Sequence, residues 1–301
     1  MNSKFYAPVL IPTLNRYEHF KNLVESLSKC HNADKTDLII GLDFPPSDKY
    51  YEGWNKIKEY VPTISGFNNV IIIEASQNKG AGGNFRSLIN YVFEHGYKAF
   101  IASEDDNEVS PNFIDFMNFG IKKCLEDKDI IGVCGYNYDY DMVGYNYDYY
   151  YSKDFSAWGW ATTCQNYQSI FQEILTASQL NKTFSFKKCI SLAFNLKFDL
   201  IRSAYYVRKH NALYGDVLIS WYLATNKDKF CLFPKLSKVR NHGHDGSGLD
   251  CGTIKNNIFA NQIIDTSFTC DYKNQKPPKI EVQGYDWMRF KFRLKVRNAY
   301  R

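Results

Sequence analysis

Residues 101–107 read Ile-Ala-Ser-Glu-Asp-Asp-Asn, so an apolar strand at 99–102 runs straight into three consecutive carboxylates, Glu104, Asp105 and Asp106. Like charges held this close repel, and a divalent cation neutralises such a group most simply. Oxygen-only ligands suit hard ions, Mg²⁺ or Mn²⁺, and these ions commonly clamp a diphosphate. The same cluster also suits a helix N-terminus: Ser110-Pro111 follows, and carboxylates favour the positive end of a helix dipole. A further acid, Asp216, sits near the start of an amphipathic helical segment, Tyr214-Gly-Asp-Val-Leu-Ile-Ser-Trp-Tyr-Leu. An aspartate there caps a helix or, beside a substrate hydroxyl, takes its proton. His242 and His244 lie two apart within Arg240-Asn-His-Gly-His-Asp-Gly-Ser-Gly248. That spacing can ligate a metal from a strand or loop, and the glycines and polar donors around it equally suit a mobile lid.

The elements that must carry these residues alternate. Apolar strands are expected at 7–12, 38–42, 70–74 and 99–102, with helices at 16–29, 54–60 and 85–93 between them. Such alternation indicates a parallel sheet covered by helices, in which ligands bind beyond the carboxyl ends of the strands. The polar residues fall there. Pro12, Thr13, Asn15 and Arg16 follow the first strand, Asp43 the second, Asn78, Lys79 and Gly80 the third, and the acidic cluster the fourth. Gly80-Ala-Gly-Gly-Asn84 either lets the chain turn into its helix or lets backbone amides approach a phosphate. No Lys-Ser/Thr completes a Walker-type loop, and no GxGxxG follows the first strand.

The chain of 301 residues is long enough for a substantial core, and 45% hydrophobic with 23% charged residues marks it as globular. No run approaches a membrane span, and the first residues read as entry into a strand rather than a signal peptide. The eight cysteines contain no CxxC pair, so free thiols of a reducing, cytoplasmic setting are expected. Net charge is +5, and residues 286–301 alone carry six basic residues against Asp286, the same +5. A nucleic-acid binder would spread a basic stripe over its body, so none is expected as a partner. Between 288 and 297 apolar and basic residues alternate strictly. Period two suits a strand, giving either an edge strand with a basic outer face or a tail that touches anionic membrane.

The middle repeats itself: Tyr136-Asn-Tyr-Asp-Tyr140 recurs as Tyr145-Asn-Tyr-Asp-Tyr149. Alternation about a glycine-ended turn suggests an antiparallel hairpin. Its tyrosines could stack on sugars, although packing on a half-buried sheet is the commoner use. Trp158-Gly159-Trp160 offers either core residues or a platform beneath a sugar ring. Residues 165–210 read as mostly helical, and 230–234 as a strand.

Taken together, residues 7–250 resemble a nucleotide-sugar glycosyltransferase of the GT-A fold, close to family 2, whose bacterial members build capsule, lipopolysaccharide and other surface glycans. Pro8-Val-Leu-Ile-Pro-Thr13-Leu-Asn-Arg16 resembles the opening strand and nucleotide loop, Asn78 to Asn84 the Asn-x-Gly segment, and Glu104-Asp-Asp106 the Asp-x-Asp signature. The stretch Glu104 to Phe113 and the later Trp158-Gly-Trp160 are similar to eukaryotic N-acetylglucosaminyltransferase I, and Arg240 to Gly248 to a loop of bacterial polysaccharide transferases. The sequence departs from the family in its Glu-Asp-Asp order and in having Tyr214-Gly-Asp216 where a Glu-Asp base motif is usual.

The resemblance implies a Rossmann-like α/β fold: a mixed, mainly parallel central sheet flanked by helices, with a small antiparallel subsheet on the acceptor side. It implies one catalytic domain over residues 1–255, nucleotide-binding to 106 and acceptor-binding from 107, followed by a C-terminal extension over 256–301. Asp106, with Glu104 or Asp105 and with His244 as a further candidate, would hold Mn²⁺ or Mg²⁺. Pro12, Thr13, Asn15, Arg16, Asp43, Asn78, Gly80, Asn84 and Asp105 would hold the nucleotide, with uridine the expected base. Trp158, Gly159 and Trp160 would meet sugar or acceptor, and Asp216 would be the base of an inverting transfer. The partners implied are a nucleotide-sugar donor and a glycan acceptor, free or lipid-linked, and the location implied is the cytoplasm or the inner face of the cell membrane. A sugar nucleotidyltransferase shares the strand order but opens with a glycine-rich basic loop, which Pro12-Thr-Leu-Asn-Arg16 is not. A non-catalytic carbohydrate-binding protein would have no use for the acidic motif and the candidate base.

Overall fold

The computed structural model describes residues 6–299 except 141, 249–251, 255, 256, 271, 273, 280 and 281. The chain's first residues, Asp141 of the tyrosine repeat, Cys251 and Arg301 therefore lie outside the described residues. The alternating first third folds as read: β1 (Val9–Thr13), α1 (Tyr17–Ser28), β2 (Leu38–Leu42), α2 (Tyr51–Tyr60), β3 (Val70–Glu74), α3 (Gly80–Glu94) and β4 (Ala99–Ala102). There follow β5 (Asn107–Val109), α4 (Phe113–Glu126), β6 (Ile130–Cys134), β7 (Tyr149–Ser152) and β8 (Trp160–Thr163). The short α5 (Cys164–Asn166) and α6 (Gln172–Ile174) bracket a π-helical turn. The chain then runs through α7 (Ala177–Thr183), α8 (Phe186–Phe194), α9 (Phe198–His210), α10 (Gly215–Thr225), β9 (Phe230–Pro234), β10 (Val239–Asn241) and α11 (Tyr285–Ala299).

The main sheet has the order β3-β2-β1-β4-β8-β6-β9-β7, and β5 pairs antiparallel with β10 in a small separate sheet. The first four strands run parallel, as does β6 with β9; the pairs β4–β8, β8–β6 and β9–β7 are antiparallel. This is the mixed α/β class the sequence indicates. Side chains alternate across a strand, and here both faces are covered. Val9 and Ile11 join one buried cluster with α1, α2 and α4, while Leu10, Ile39 and Phe100 join the other with α3 and α6 to α10. The chain winds outward from β1 through β2 to β3, then returns to place β4 on the other side of β1. A crevice opens beyond the carboxyl ends of strands where winding reverses, and the Glu104–Asp106 cluster leaves β4 at that point.

Two expectations fail. The tyrosine repeat is not a hairpin. Residues 135–140 form no strand, and β7 pairs with β9 through Tyr149 opposite Pro234. The tyrosines of the first copy pack instead: Tyr136 lies edge-on to Trp158 at 4.7 Å, and Tyr138 meets Phe292 at 5.3 Å. The basic tail is a helix, α11, rather than a strand. Tyr285, Arg289 and Phe292 are its buried residues, at helical spacing. Arg289 occupies a position where an apolar residue would have revealed the period. It is neutralised there by Asp154 (Nε to Oδ2, 2.6 Å) and by Asp199 (Nη2 to Oδ2, 2.9 Å). Part of the tail's charge is thus turned into the protein. The seven described cysteines are free thiols.

Candidate active site

Parallel pairing of β1 with β4 sets their carboxyl ends side by side, and the polar residues that follow each strand meet. The Thr13 hydroxyl donates to Asp105 Oδ2 at 2.8 Å. The Arg16 guanidinium, on the turn into α1, donates to Asp106 Oδ2 at 2.7 Å and also to Asp105. From the opposite side β10 delivers Asn241, whose side-chain amide donates to Asp106 Oδ1 at 2.7 Å and to Asn107 Oδ1 at 3.0 Å. The His242 backbone N–H donates to the Asp106 carbonyl at 2.8 Å. Gly243 follows because nothing larger fits: a Cβ there would lie 2.1 Å from Asp106 Oδ2.

The electrostatics are those of an over-filled acidic cluster. Burial works to lower the Arg16 pKa, but Asp105 and Asp106 outweigh it and hold the guanidinium charged. Burial raises the Asp105 carboxyl against the opposing pull of Arg16. Glu104 is pushed up to about 8 by burial and by the charges of Asp106, Asp216 and Asp105, with Arg16 opposing. Asp216 is thus an electrostatic neighbour of the cluster although 110 positions separate it from Asp106 in sequence. It stands exposed in the first turn of α10, where the helix dipole favours an anion. The crevice therefore holds two carboxylates on the Arg16 guanidinium, with Glu104 beside them and Asp216 acting on Glu104.

The expected nucleotide residues form a connected rim. Buried Asp43 accepts from the backbone N–H groups of Phe44 and Lys79, each at 2.9 Å, and from the Asn78 amide at 3.2 Å. Asp43 therefore ties the loop after β3 to the end of β2. Gly80 starts α3 with φ of +69°, a conformation that side chains disfavour. Asn84 is buried and donates to the carbonyls of Gly41 (2.8 Å) and Thr13 (3.3 Å), bracing the strand ends. Pro12 lies within β1, and the Asn15 carbonyl is packed so closely by α2 that a Cβ at Gly53 would lie 1.8 Å from it.

The aromatic candidates separate. Trp158 is half-buried and meets Phe259 (5.0 Å) and His244 (5.6 Å) edge-on. His244 also lies 4.5 Å from Phe259; its burial lowers the imidazole pKa against the pull of Asp106 and Asp245. Gly159, with φ of +68°, is enclosed by Val239 and Phe113. Trp160 is not a platform: it is buried, stacks on Phe171 at 5.3 Å and packs edge-on to Phe100 and Phe155. His242, the other histidine of the loop, meets Glu108 Oε2 at 2.9 Å. Among the described residues no three His, Cys, Asp or Glu side chains come together as a ready-made metal site.

Several partners were not legible beforehand. Asn241 and the Glu108–Arg240–His242 group arise from the β5–β10 pairing, which sets Arg240 opposite Glu108 and Asn241 opposite Asn107. The Arg240 guanidinium donates to Glu108 Oε2 at 2.7 Å, and the His242 and Arg240 hydrogen bonds hold Glu108 down at about 2. Charge complementarity between 108 and 240 was the available signal, and only the pairing gives it meaning. His19 on α1 meets Asp245 at 2.9 Å, tying the middle of the 242–248 loop to the helix that follows Arg16.

No protein-family model matches the chain, and no curated protein does. Among solved structures it is similar to the mannosyltransferase PcManGT from Pyrobaculum calidifontis in complex with GDP-Man and Mn²⁺. The identity there is 13% and the TM-score 0.37, over 56% of this chain and 47% of that one. It is also similar to S. aureus TarS (12%, TM-score 0.34, over 50% of this chain and 25% of that one). A third is the WbbM bifunctional glycosyltransferase (12%, TM-score 0.29, over 46% and 24%). The matched part thus spans less than half of each of those chains.

Proposed function

We propose that this chain is a glycosyltransferase that moves a sugar from a nucleotide sugar to a hydroxyl of a glycan acceptor. The observation that carries the reading is the juxtaposition, at the point where the sheet's winding reverses, of Asp216 with the Glu104–Asp106 cluster. The donor set suits Mg²⁺ or Mn²⁺. The Glu104–Asp106 cluster presents carboxylate oxygens beside a single guanidinium, and these ions take one or two protein carboxylates, completing their shell with phosphate and water. Asp106, with Asp105 or Glu104, would hold the ion, and His244, which feels the Asp106 charge, is a further candidate ligand. When bound, such an ion offsets charge developing on a departing diphosphate.

The remaining steps belong to the chain itself. Thr13, Asn15 and Arg16 line one side of the donor site, with Asp43, Asn78, Gly80 and Asn84 on the other. Arg16 already points at the acidic cluster and can donate in parallel to phosphate oxygens. Trp158 closes the acceptor side. Asp216 accepts the proton of the attacking hydroxyl, and direct displacement at carbon one inverts the anomeric centre. A UDP-sugar donor, a hexosyl or N-acetylhexosaminyl group and a role in capsule or lipopolysaccharide synthesis follow from the sequence resemblance.

The test is incubation with a panel of nucleotide sugars, Mn²⁺ and candidate glycan acceptors. Release of the nucleoside diphosphate supports transfer. Pyrophosphate-dependent release of a triphosphate would assign a nucleotidyltransferase, and binding of sugars without turnover would assign a carbohydrate-binding protein.

A further inference from the structure

Helix α8 is built inside out on one side. Phe186, Ile190 and Phe194 recur every four residues and form a single stripe, yet Phe186 is 80% exposed and Phe194 84%. A helix of a folded protein normally turns such a stripe to the core; here Leu192 is the residue of α8 that is buried. The next helix continues the surface. Phe198 opens α9 half-exposed and touches Phe290 of α11 (6.4 Å), on which the exposed Trp287 stacks at 5.8 Å. Exposed apolar surface of this extent marks an interaction site.

Its charge says which kind. Residues 177–213, which span α7 to α9, hold seven Lys and Arg against one acid, Asp199; Lys197 is buried beside Asp286, which leaves six toward the surface. That acid is engaged from within by Arg289. Lys182, Lys187 and Arg202 are exposed around the aromatic stripe, and Lys291 lies over the Trp287 ring at 5.3 Å. A second copy of the chain would bring this cationic surface against its own like. A layer of anionic phospholipid matches both features: aromatic rings enter the headgroup boundary while lysines meet the phosphates. No helix of the described residues is long and apolar enough to cross a membrane, so the contact is one of lying on the surface.

We infer that the α8–α9 face, together with Trp287, docks the protein on an anionic phospholipid bilayer. The site overlaps the basic tail only at Trp287 and Lys291 and is not the tail as a whole, since Arg289 of that tail is buried in an internal ion-pair group. The inference rests on this surface alone and holds whichever reaction the crevice performs. Because α11 contributes Tyr285, Arg289 and Phe292 to the interior, removing the tail would disturb the fold, and the test uses all 301 residues. Flotation with vesicles of phosphatidylcholine, with and without phosphatidylglycerol, should show binding to the anionic vesicles that falls with added salt. Phe186→Ser with Phe194→Ser should lower partitioning at least ~10-fold, because the affinity of interfacial helices scales with buried apolar area. Lys182→Glu and Lys187→Glu should each cost about fivefold or more, with melting temperature unchanged, since each basic residue near the leaflet is worth about that factor. Absence of flotation by the wild-type chain would overturn the inference, as would equal partitioning by the double-serine variant. So would a wild-type dimer that this variant converts to monomer, which would assign the face to a second copy.

Discussion

Two regions of this molecule use the same device, an arginine bridging two aspartates, and differ in what surrounds it. Arg16 bridges Asp105 and Asp106 at the strand ends; Arg289 bridges Asp154 and Asp199 beneath α11. Around Arg16 two further carboxylates, Glu104 and Asp216, act on the cluster, and the arginine side chain is 22% exposed. Around Arg289 the additional charges are cationic, Lys197 and Arg293 acting on Asp154, and the arginine is 3% exposed. The first group stands at the strand ends with its arginine partly open to a ligand; the second is closed. A buried ion pair is weak evidence of function in itself, whereas a partly open one at a crevice, with a perturbed carboxyl beside it, is a candidate site.

The largest effects should separate the two groups by kind. Asp216→Asn keeps the shape of its side chain but cannot accept a proton. Turnover should fall roughly 10²–10⁴-fold with little change in nucleotide-sugar affinity, measured by steady-state rates beside direct titration of donor. A variant that keeps its turnover but loses donor affinity would make Asp216 a binding residue and return the base assignment to another group. Asp106→Ala should abolish metal-dependent donor binding, and full activity in EDTA would remove the cation from the proposal. Asp216→Asn should leave the melting temperature nearly unchanged because Asp216 is exposed, whereas Asp106→Ala also removes the acceptor of Arg16 and Asn241 and should lower it.

Arg289→Met should do the reverse. It leaves Asp154 buried beside an apolar side chain, and breaking a buried pair in this way costs about 3–5 kcal/mol. Denaturant midpoints should drop accordingly, while the rate per folded molecule stays near that of the wild type. If Arg289→Met instead spared stability and reduced turnover, the distinction between an open and a closed arginine would fail as a guide to function.

The same contrast explains what could be read from the sequence. The parallel half was legible because strand and helix periods are uninterrupted there: Val9 to Thr13, Leu38 to Leu42 and Ala99 to Ala102 are apolar runs followed by polar strand ends. The acidic cluster was legible because three carboxylates in a row have few other uses. The tail was misread because Arg289 and Arg293 interrupt the apolar spacing of α11, and their partners Asp154 and Asp199 are remote in sequence. The tyrosine repeat was misread because its alternation reflects packing against Trp158 and Phe292 rather than pairing with a neighbouring strand. Asn241 was overlooked because its role depends on which strand β10 joins. Long-range charge pairing and strand partnership are tertiary facts, and a local period does not contain them.

The smallest effect, and the one that tests sign rather than size, comes from pH. Asp265 joins the C-terminal extension to the body: it accepts from Asn112 at 3.0 Å and is paired with Lys238. Burial works to raise its pKa, but the hydrogen bonds from Lys238 and Asn112 prevail and hold it at about 2. A folded pKa below the unfolded value of about 3.9 contributes stability that is present above pH ~4 and is lost as pH falls toward 2. Asp265→Asn should therefore cost on the order of 2 kcal/mol near neutrality, a gap from the wild type that narrows on acidification. Glu104 has the opposite sign. Its folded pKa is raised to about 8, so the folded protein holds a proton that the unfolded chain releases, and stability declines as pH rises from ~4 through ~8. Glu104→Gln should leave stability unchanged near pH 4 and raise it near pH 8. Urea melts of both variants across this range decide the matter: a gap for Asp265→Asn that ignores pH would show that shape rather than charge holds the extension. A Glu104→Gln variant no more stable than the wild type at pH 8 would show that the crevice is not over-filled with negative charge.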